Sequence, residues 1–315
     1  MDCRHELGIE SQYSTEWAFR KNRLTSRAKD DTMAGMNDRA SVRAAFAALV
    51  SLPDEEIGLA RGALLIAQEE YSHLDADLYL KRLDHLAEQL RPNLRGLQTD
   101  MQRLAALNRL LFEEEGFRGN QADYYDPRNS FLNDVLDRKL GIPITLSIVY
   151  MEVGWRVGLP LSGVGLPGHF MVRSDGEGGP ILVDPFHRGA FLTASEARTR
   201  VREVAGQEIP LGPESFQPVG RRAILTRMLN NLKAIYLQRA DYPRALAVVE
   251  RLVLITGEAA TEVRDRGLLL YALDRYSQAE ANLERYLWLT REESDDAEEI
   301  RATLQRIREA RARLN

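Results

Sequence analysis

The sequence predicts an α+β fold, and three observations carry that expectation. Apolar residues recur at helical spacing through the front of the chain. Two short apolar runs, "GHFMVR" and "ILVDP", flank the turn residues "SDGEGG". In the last third, two helical segments align at an offset of 34 residues.

The helical front begins at Ala40. "SVRAAFAALVSL" and "DADLYLKRLDHLAEQLRP" place apolar residues three and four apart, and Pro92 is expected to close the second run. "MQRLAALNRLLFEEEGF" continues the pattern, with Gly116 as its stop. "RGNQADYYDPRNSFLNDVL" is polar, turn-rich and aromatic, the composition of a surface loop or a pocket rim. "GIPITLSIVYMEVGWRVGLP", residues 141–160, reads as one buried helix. Its Pro143 is tolerable in the first turn, and Gly158 with Pro160 ends it. Leu146, Val149, Val153, Phe170 and Val172 are the expected core.

The last third changes character. "YPRALAVVERLVLI" and "YSQAEANLERYLWL" match Tyr242 with Tyr276, Ala245 with Ala279, and Glu250-Arg251 with Glu284-Arg285. A 34-residue period of paired helices, with a small residue where they approach, is the tetratricopeptide signature. The terminal "DDAEEIRATLQRIREARARLN" reads as a polar capping helix. The domain reading is 1–39 as a disordered tail, 40–210 as the helical layer plus core, and 219–315 as the repeats.

Composition narrows the function. A length of 315 residues accommodates two domains, with 44% hydrophobic and 28% charged residues as in ordinary globular proteins. The net charge of −5 argues against a nucleic-acid-binding face. The longest apolar run, Ile142 to Met151, is too short to span a membrane. The N-terminus lacks a signal-peptide core, which points to the cytoplasm. The single cysteine, Cys3, leaves no intramolecular disulfide and lies in the expected tail, away from any held position.

Chemistry concentrates at His169 and Asp184. With the turn at 174–179, residues whose numbers sum to 353 face each other, so His169 is expected directly opposite Asp184. The carboxylate would fix the imidazole tautomer and stabilise its charged form, or the pair would serve structure alone. His187 lies three residues beyond Asp184, and the three could ligate a metal. The favoured expectation is no metal and no cofactor, with His187 at the edge of a ligand site. His73 and His85 read as helical surface or packing residues, and His5 falls in the tail.

"EEEGFRGNQADYYDPRNSFLNDVLDRKLGIPITLSIVYMEVGWRVGLPLSGVGLPGHFMVR" and "LVDPFHRGAFL" resemble the transglutaminase-like core. The closer resemblance is to the bacterial SirB-type family, in which such a core precedes C-terminal tetratricopeptide repeats. It implies a papain-like arrangement, with a central helix on a small antiparallel sheet. It also implies that His169 and Asp184 fall on the histidine and aspartate of active relatives. The cysteine that starts the helix in those relatives falls on or near Pro143, which carries no nucleophile. Thr145 and Ser147 follow in the same helix. Ser147 is about 6 Å further on, whereas contact with a base needs about 2.6–3.2 Å.

The leading expectation is therefore a non-catalytic protein that binds a peptide or protein partner. Tyr124, Tyr125, Asn129, Asn133, Thr145 and His187 would line its cleft, and the repeats would extend the binding surface. The competing expectation is a hydrolase or acyltransferase that uses His169 and Asp184 with Ser147 or an activated water.

Overall fold

The computed structural model describes residues 33–176, 179–291 and 293–314. Cys3 and the rest of the expected tail up to residue 32 lie outside the described residues. The chain divides into two compact units, Met33–Met228 and Leu229–Asn315.

The first unit opens with helices α1 (Met33–Val50), α2 (Leu59–Gln68), α3 (Ala76–Asn93) and α4 (Asp100–Asn108). Asp75 caps α3 by accepting from the amides of Asp77 and Leu78, and Thr99 with Gln102 forms a capping box on α4. Pro92 does not end α3 but sits inside its last turn. A π-helical turn, Arg109–Glu114, extends α4 to the left-handed Gly116. The stretch expected as a loop is more ordered than its composition suggests. It contains β1 (Arg118–Gly119), a 3-10 turn at Pro127–Asn129 and α5 (Leu132–Arg138). β1 pairs in parallel with β2 (Leu140–Gly141).

Helix α6, Pro143–Arg156, is the centre of this unit. It is shorter than expected because Gly141 belongs to β2 and Ile142 is extended, while Gly158 turns the chain with a φ of +84°. Every residue from Pro143 to Gly154 is buried. A helix apolar on all sides must be enclosed, and α6 packs against α2, α3, α5 and the main sheet. Leu146, Val149 and Val153 lie in its core, as do Phe170 and Val172 on the sheet.

That sheet is antiparallel in the order β3-β4-β5-β6: Leu161–Leu166, His169–Gly176, Gly179–Asp184 and Ala190–Leu192. The expected hairpin is present, but its register differs. Val172 pairs with Val183 and Gly176 with Gly179, so paired numbers sum to 355 rather than 353. The cause is that Ser174, Asp175 and Gly176 continue the strand instead of forming a loop. An even shift keeps the faces unchanged, so His169 and Asp184 share a face as diagonal neighbours rather than direct ones. Helix α7 (Ala194–Ala205), with a Thr193–Glu196 capping box, buries Ala197 and Val201 against Val164, Leu166 and Met171.

The first unit ends within α8 (Arg221–Gln238). The second continues with α9 (Tyr242–Thr256), α10 (Ala260–Ala272), α11 (Tyr276–Leu289) and α12 (Ala297–Leu314). Tyr242 and Tyr276 open equivalent helices 34 residues apart. Ala245 and Ala279 are wholly buried where neighbours meet. At Gly267 an added Cβ would stand 2.7 Å from the Leu283 side chain, so the glycine favours the close approach of α10 and α11. Asp265 accepts from Lys233 at 3.0 Å and from Arg264 at 3.0 Å. Arg264 also reaches Asp296, which holds the Tyr286 hydroxyl at 2.6 Å.

Helix α2 has no side-chain cap of its own, and the amide of Ala60 donates instead to Glu152 Oε1 of α6 at 2.7 Å. Arg156, one turn on, pairs with Glu152 and with Asp84. Glu152→Ala leaves the buried amide of Ala60 without its acceptor and removes one of the two carboxylates that hold Arg156. The expected loss is about 2 kcal/mol, read from the urea midpoint at unchanged m-value.

Candidate functional site

Asp184 ends β5 and caps the 3-10 turn Pro185–His187. Its Oδ1 accepts the amides of Phe186 at 3.1 Å and His187 at 3.3 Å. Its Oδ2 accepts from His169 Nε2 at 2.9 Å and from His187 Nδ1 at 2.7 Å. All four acceptor positions are thus filled. Burial of Asp184 acts to raise its pKa. Hydrogen bonds from the two histidines, with their positive charge when protonated, outweigh burial and hold the carboxyl well below the usual range. Asp184 is therefore an acceptor at any working pH.

His169 begins β4 immediately after the Pro167-Gly168 turn, with Gly168 at a φ of +66°. Arg227 from α8 donates to the carbonyls of Leu166 at 2.6 Å and His169 at 2.7 Å, pinning both sides of that turn. The imidazole is 2% exposed and meets the Phe186 ring edge-on at 6.3 Å. Phe186 in turn leans on Tyr124 at 6.0 Å and His187 at 5.1 Å. Phe186 covers β1 so closely that a Cβ on Gly119 would lie 2.6 Å from its ring. Close contact at Gly119 thus seats the turn that carries His187.

The remaining residues singled out from sequence have distinct places. Pro143 is the first residue of α6 and is buried. Ser147 is fully buried, and its hydroxyl has no hydrogen-bond partner, so it is not engaged with His169. Thr145 Oγ1 donates to the carbonyl of Asn129 at 2.7 Å and accepts the amide of Ile142 at 3.1 Å. Asn129 accepts from Asn120 at 3.0 Å and donates to the carbonyls of Asp123 and Tyr124. Thr145 and Asn129 are therefore committed internally and brace the tyrosine loop from beneath. Asn133 is buried with an unpartnered Oδ1. Tyr124 and Tyr125 stand at the surface, 36% and 55% exposed, in edge-to-face contact at 5.3 Å.

His169, Asp184 and His187 place potential metal-ligand atoms within 4.8 Å of one another. Their arrangement is that of hydrogen bonds. Both rings direct a nitrogen at the same carboxylate oxygen, and the Arg200 guanidinium lies 3.8 Å from that oxygen. A cation held there would face a fixed positive charge and lose both bonds. Arg200 on α7 also donates to His187 Nε2 at 3.4 Å. Sequence reasoning missed Arg200, Arg227 and Phe186. Nothing in their spacing marks the two arginines, while Phe186 sits inside the "VDPFH" run beside the aspartate.

Asp184→Asn leaves two ring donors facing a neutral amide. The expected cost is about 3 kcal/mol, measured by urea unfolding from pH 3 to 8. Because the folded carboxyl titrates below the unfolded value of about 3.9, its contribution is complete above that value. It fades as pH falls towards the folded pKa. The part of the gap that comes from titration of the carboxyl itself should therefore be constant above about pH 5 and shrink below about pH 4.

Comparison with known proteins follows the same division. The model of the transglutaminase-like superfamily matches residues 77–230, and a tetratricopeptide repeat model matches residues 232–309. A UPF0162 protein of Xylella fastidiosa (strain 9a5c) is 40% identical over 244 residues, covering 76% of this chain and 87% of the relative. A UPF0162 protein of Vibrio cholerae is 28% identical over 250 residues, 76% of this chain and 90% of the relative. Human F-box only protein 21 is 28% identical over 220 residues, 60% of this chain and 34% of the human protein. No solved structure matches the chain. Among the described residues, no helix is long and apolar enough to cross a membrane. With a transglutaminase-like domain followed by tetratricopeptide repeats, and 40% identity across most of the Xylella relative, the chain belongs to the UPF0162 family.

Proposed function

We propose that this chain is a transglutaminase-like protein without thiol catalysis, which binds a peptide or protein partner in the bacterial cytoplasm. The observation that carries this reading is Pro143 at the head of α6, where the resemblance puts the nucleophile. Proline at that position brings neither a nucleophilic side chain nor an amide hydrogen to stabilise an oxyanion. The histidine and aspartate persist, hydrogen-bonded to each other at 2.9 Å. A retained pair with no nucleophile suits recognition, and the exposed Tyr124 and Tyr125 beside Phe186 supply the aromatic rim that peptide sites favour. The tetratricopeptide repeats support a protein-interacting role, because stacked helix pairs present extended binding surfaces.

A second reading is favoured by one feature. Among the described residues, His169 Nδ1 has no hydrogen-bond partner, so the imidazole could act as a base towards a water. Ser147 supports this alternative less well, because its hydroxyl is sealed inside the helix packing.

Intact mass after exposure to a fluorophosphonate, alongside turnover of peptide amides and aryl esters, separates the readings. The expected result is no adduct and no turnover that depends on His169. A stoichiometric adduct lost in both Ser147→Ala and His169→Ala would establish a serine hydrolase. Turnover without an adduct, abolished by His169→Ala and governed by a group titrating near neutrality, would establish the water mechanism.

A further inference from the structure

Asp184 anchors two histidines, and only one of them is accounted for by the resemblance. His187 is held from both sides. Its Nδ1 lies 2.7 Å from Asp184 Oδ2, and its Nε2 lies 3.4 Å from Arg200 Nη1. A guanidinium can only donate, so in the neutral ring His187 Nε2 must accept and the single proton must sit on Nδ1. That proton is then donated to Asp184. The carboxylate is itself acceptor-only, with Oδ1 occupied by two backbone amides, so the proton between it and His169 belongs to the ring at Nε2. In the neutral ring the remaining nitrogen of His169, Nδ1, then keeps its lone pair.

We infer that Arg200 and His187 are positioning residues that dictate the protons of this cluster and leave His169 Nδ1 as a bare acceptor, so that a ligand must place a hydrogen-bond donor there. A peptide amide N–H has this chemistry; a carboxylate does not. The ligand part rests on the binding reading proposed above, whereas the proton positions do not. His187 also competes with His169 for the same carboxylate oxygen. Each donor weakens the other's share, so Arg200, by fixing His187 as a donor, moderates the bond that holds His169. α7 is built to deliver this arginine. It is capped at both ends, by Thr193 and by the left-handed Gly206, and it is packed through Ala197 and Val201.

The test is long-range proton–nitrogen correlation of the histidine rings in the full chain at pH 8. Wild type is expected to show His187 as the Nδ1–H tautomer and His169 as the Nε2–H tautomer. In Arg200→Met, His187 should populate both tautomers. The His169 Nε2 proton should then move downfield, because Asp184 has lost a competing donor. Arg200→Lys, which retains a donor, should reverse both changes. A proton on His169 Nδ1 in wild type overturns the assignment even if no variant folds, and leaves the non-catalytic reading intact. Rings in Arg200→Met that match wild type overturn the role of Arg200. For the ligand class, added N-methylacetamide should shift the Nδ1 resonance and added sodium acetate should not. The opposite preference, or no shift with either, overturns that part.

Discussion

The carboxylate of Asp184 is the constraint on which the site depends. It ends a strand, starts a turn and accepts four hydrogen bonds, two from the backbone that follows it and two from imidazole rings. Buried charge is tolerable only when it is this completely satisfied. Removing any donor leaves part of the carboxylate unpaired, so the turn geometry, the seat of His187 and the orientation of His169 stand together. The neighbouring contacts serve the same end. Gly119 leaves room for Phe186, Arg227 pins the turn before His169, and Arg200 closes the far side of His187.

Helix α6 imposes the complementary constraint. It is enclosed on all sides, so every polar group on it needs an internal partner. Glu152 finds one in the amide of Ala60, and Thr145 in Asn129 and Ile142. Ser147 does not, and its orphaned hydroxyl is the exception in this helix. The helix begins with Pro143, whose fixed backbone angle fits a first turn.

The second unit follows a different physical logic. Its helices are held by small residues that admit close approach, Ala245, Gly267 and Ala279, and by a polar network from Lys233 through Asp265 and Arg264 to Asp296 and Tyr286. The repeat is imperfect. Glu250-Arg251 and Glu284-Arg285 occupy matching positions, yet Arg251 is buried and Arg285 is nearly half exposed. Sequence similarity between units preserves the helix contacts and not the environment of each charge.

Several features were legible in the amino-acid sequence alone, because each depends on local chemistry. Periodicity announced α6 and the paired helices of the repeat. Turn residues announced the hairpin, and the hairpin brought a histidine and an aspartate to one face. The resemblance then implied that the nucleophile position falls on or near Pro143. Tertiary structure decided the rest. The hairpin register moved by an even step because strand hydrogen bonds extended to Gly176, which local turn propensity underestimates. Asn129 and Thr145 turned inward because a buried helix start had backbone groups to satisfy, a demand invisible in spacing. Arg200 joined the site from the helix that follows the sheet, and Arg227 from one 58 residues beyond His169. The sequence determined which groups could carry chemistry; packing determined which of them are already spent on one another, because a buried donor or acceptor takes the partner that the fold brings to it.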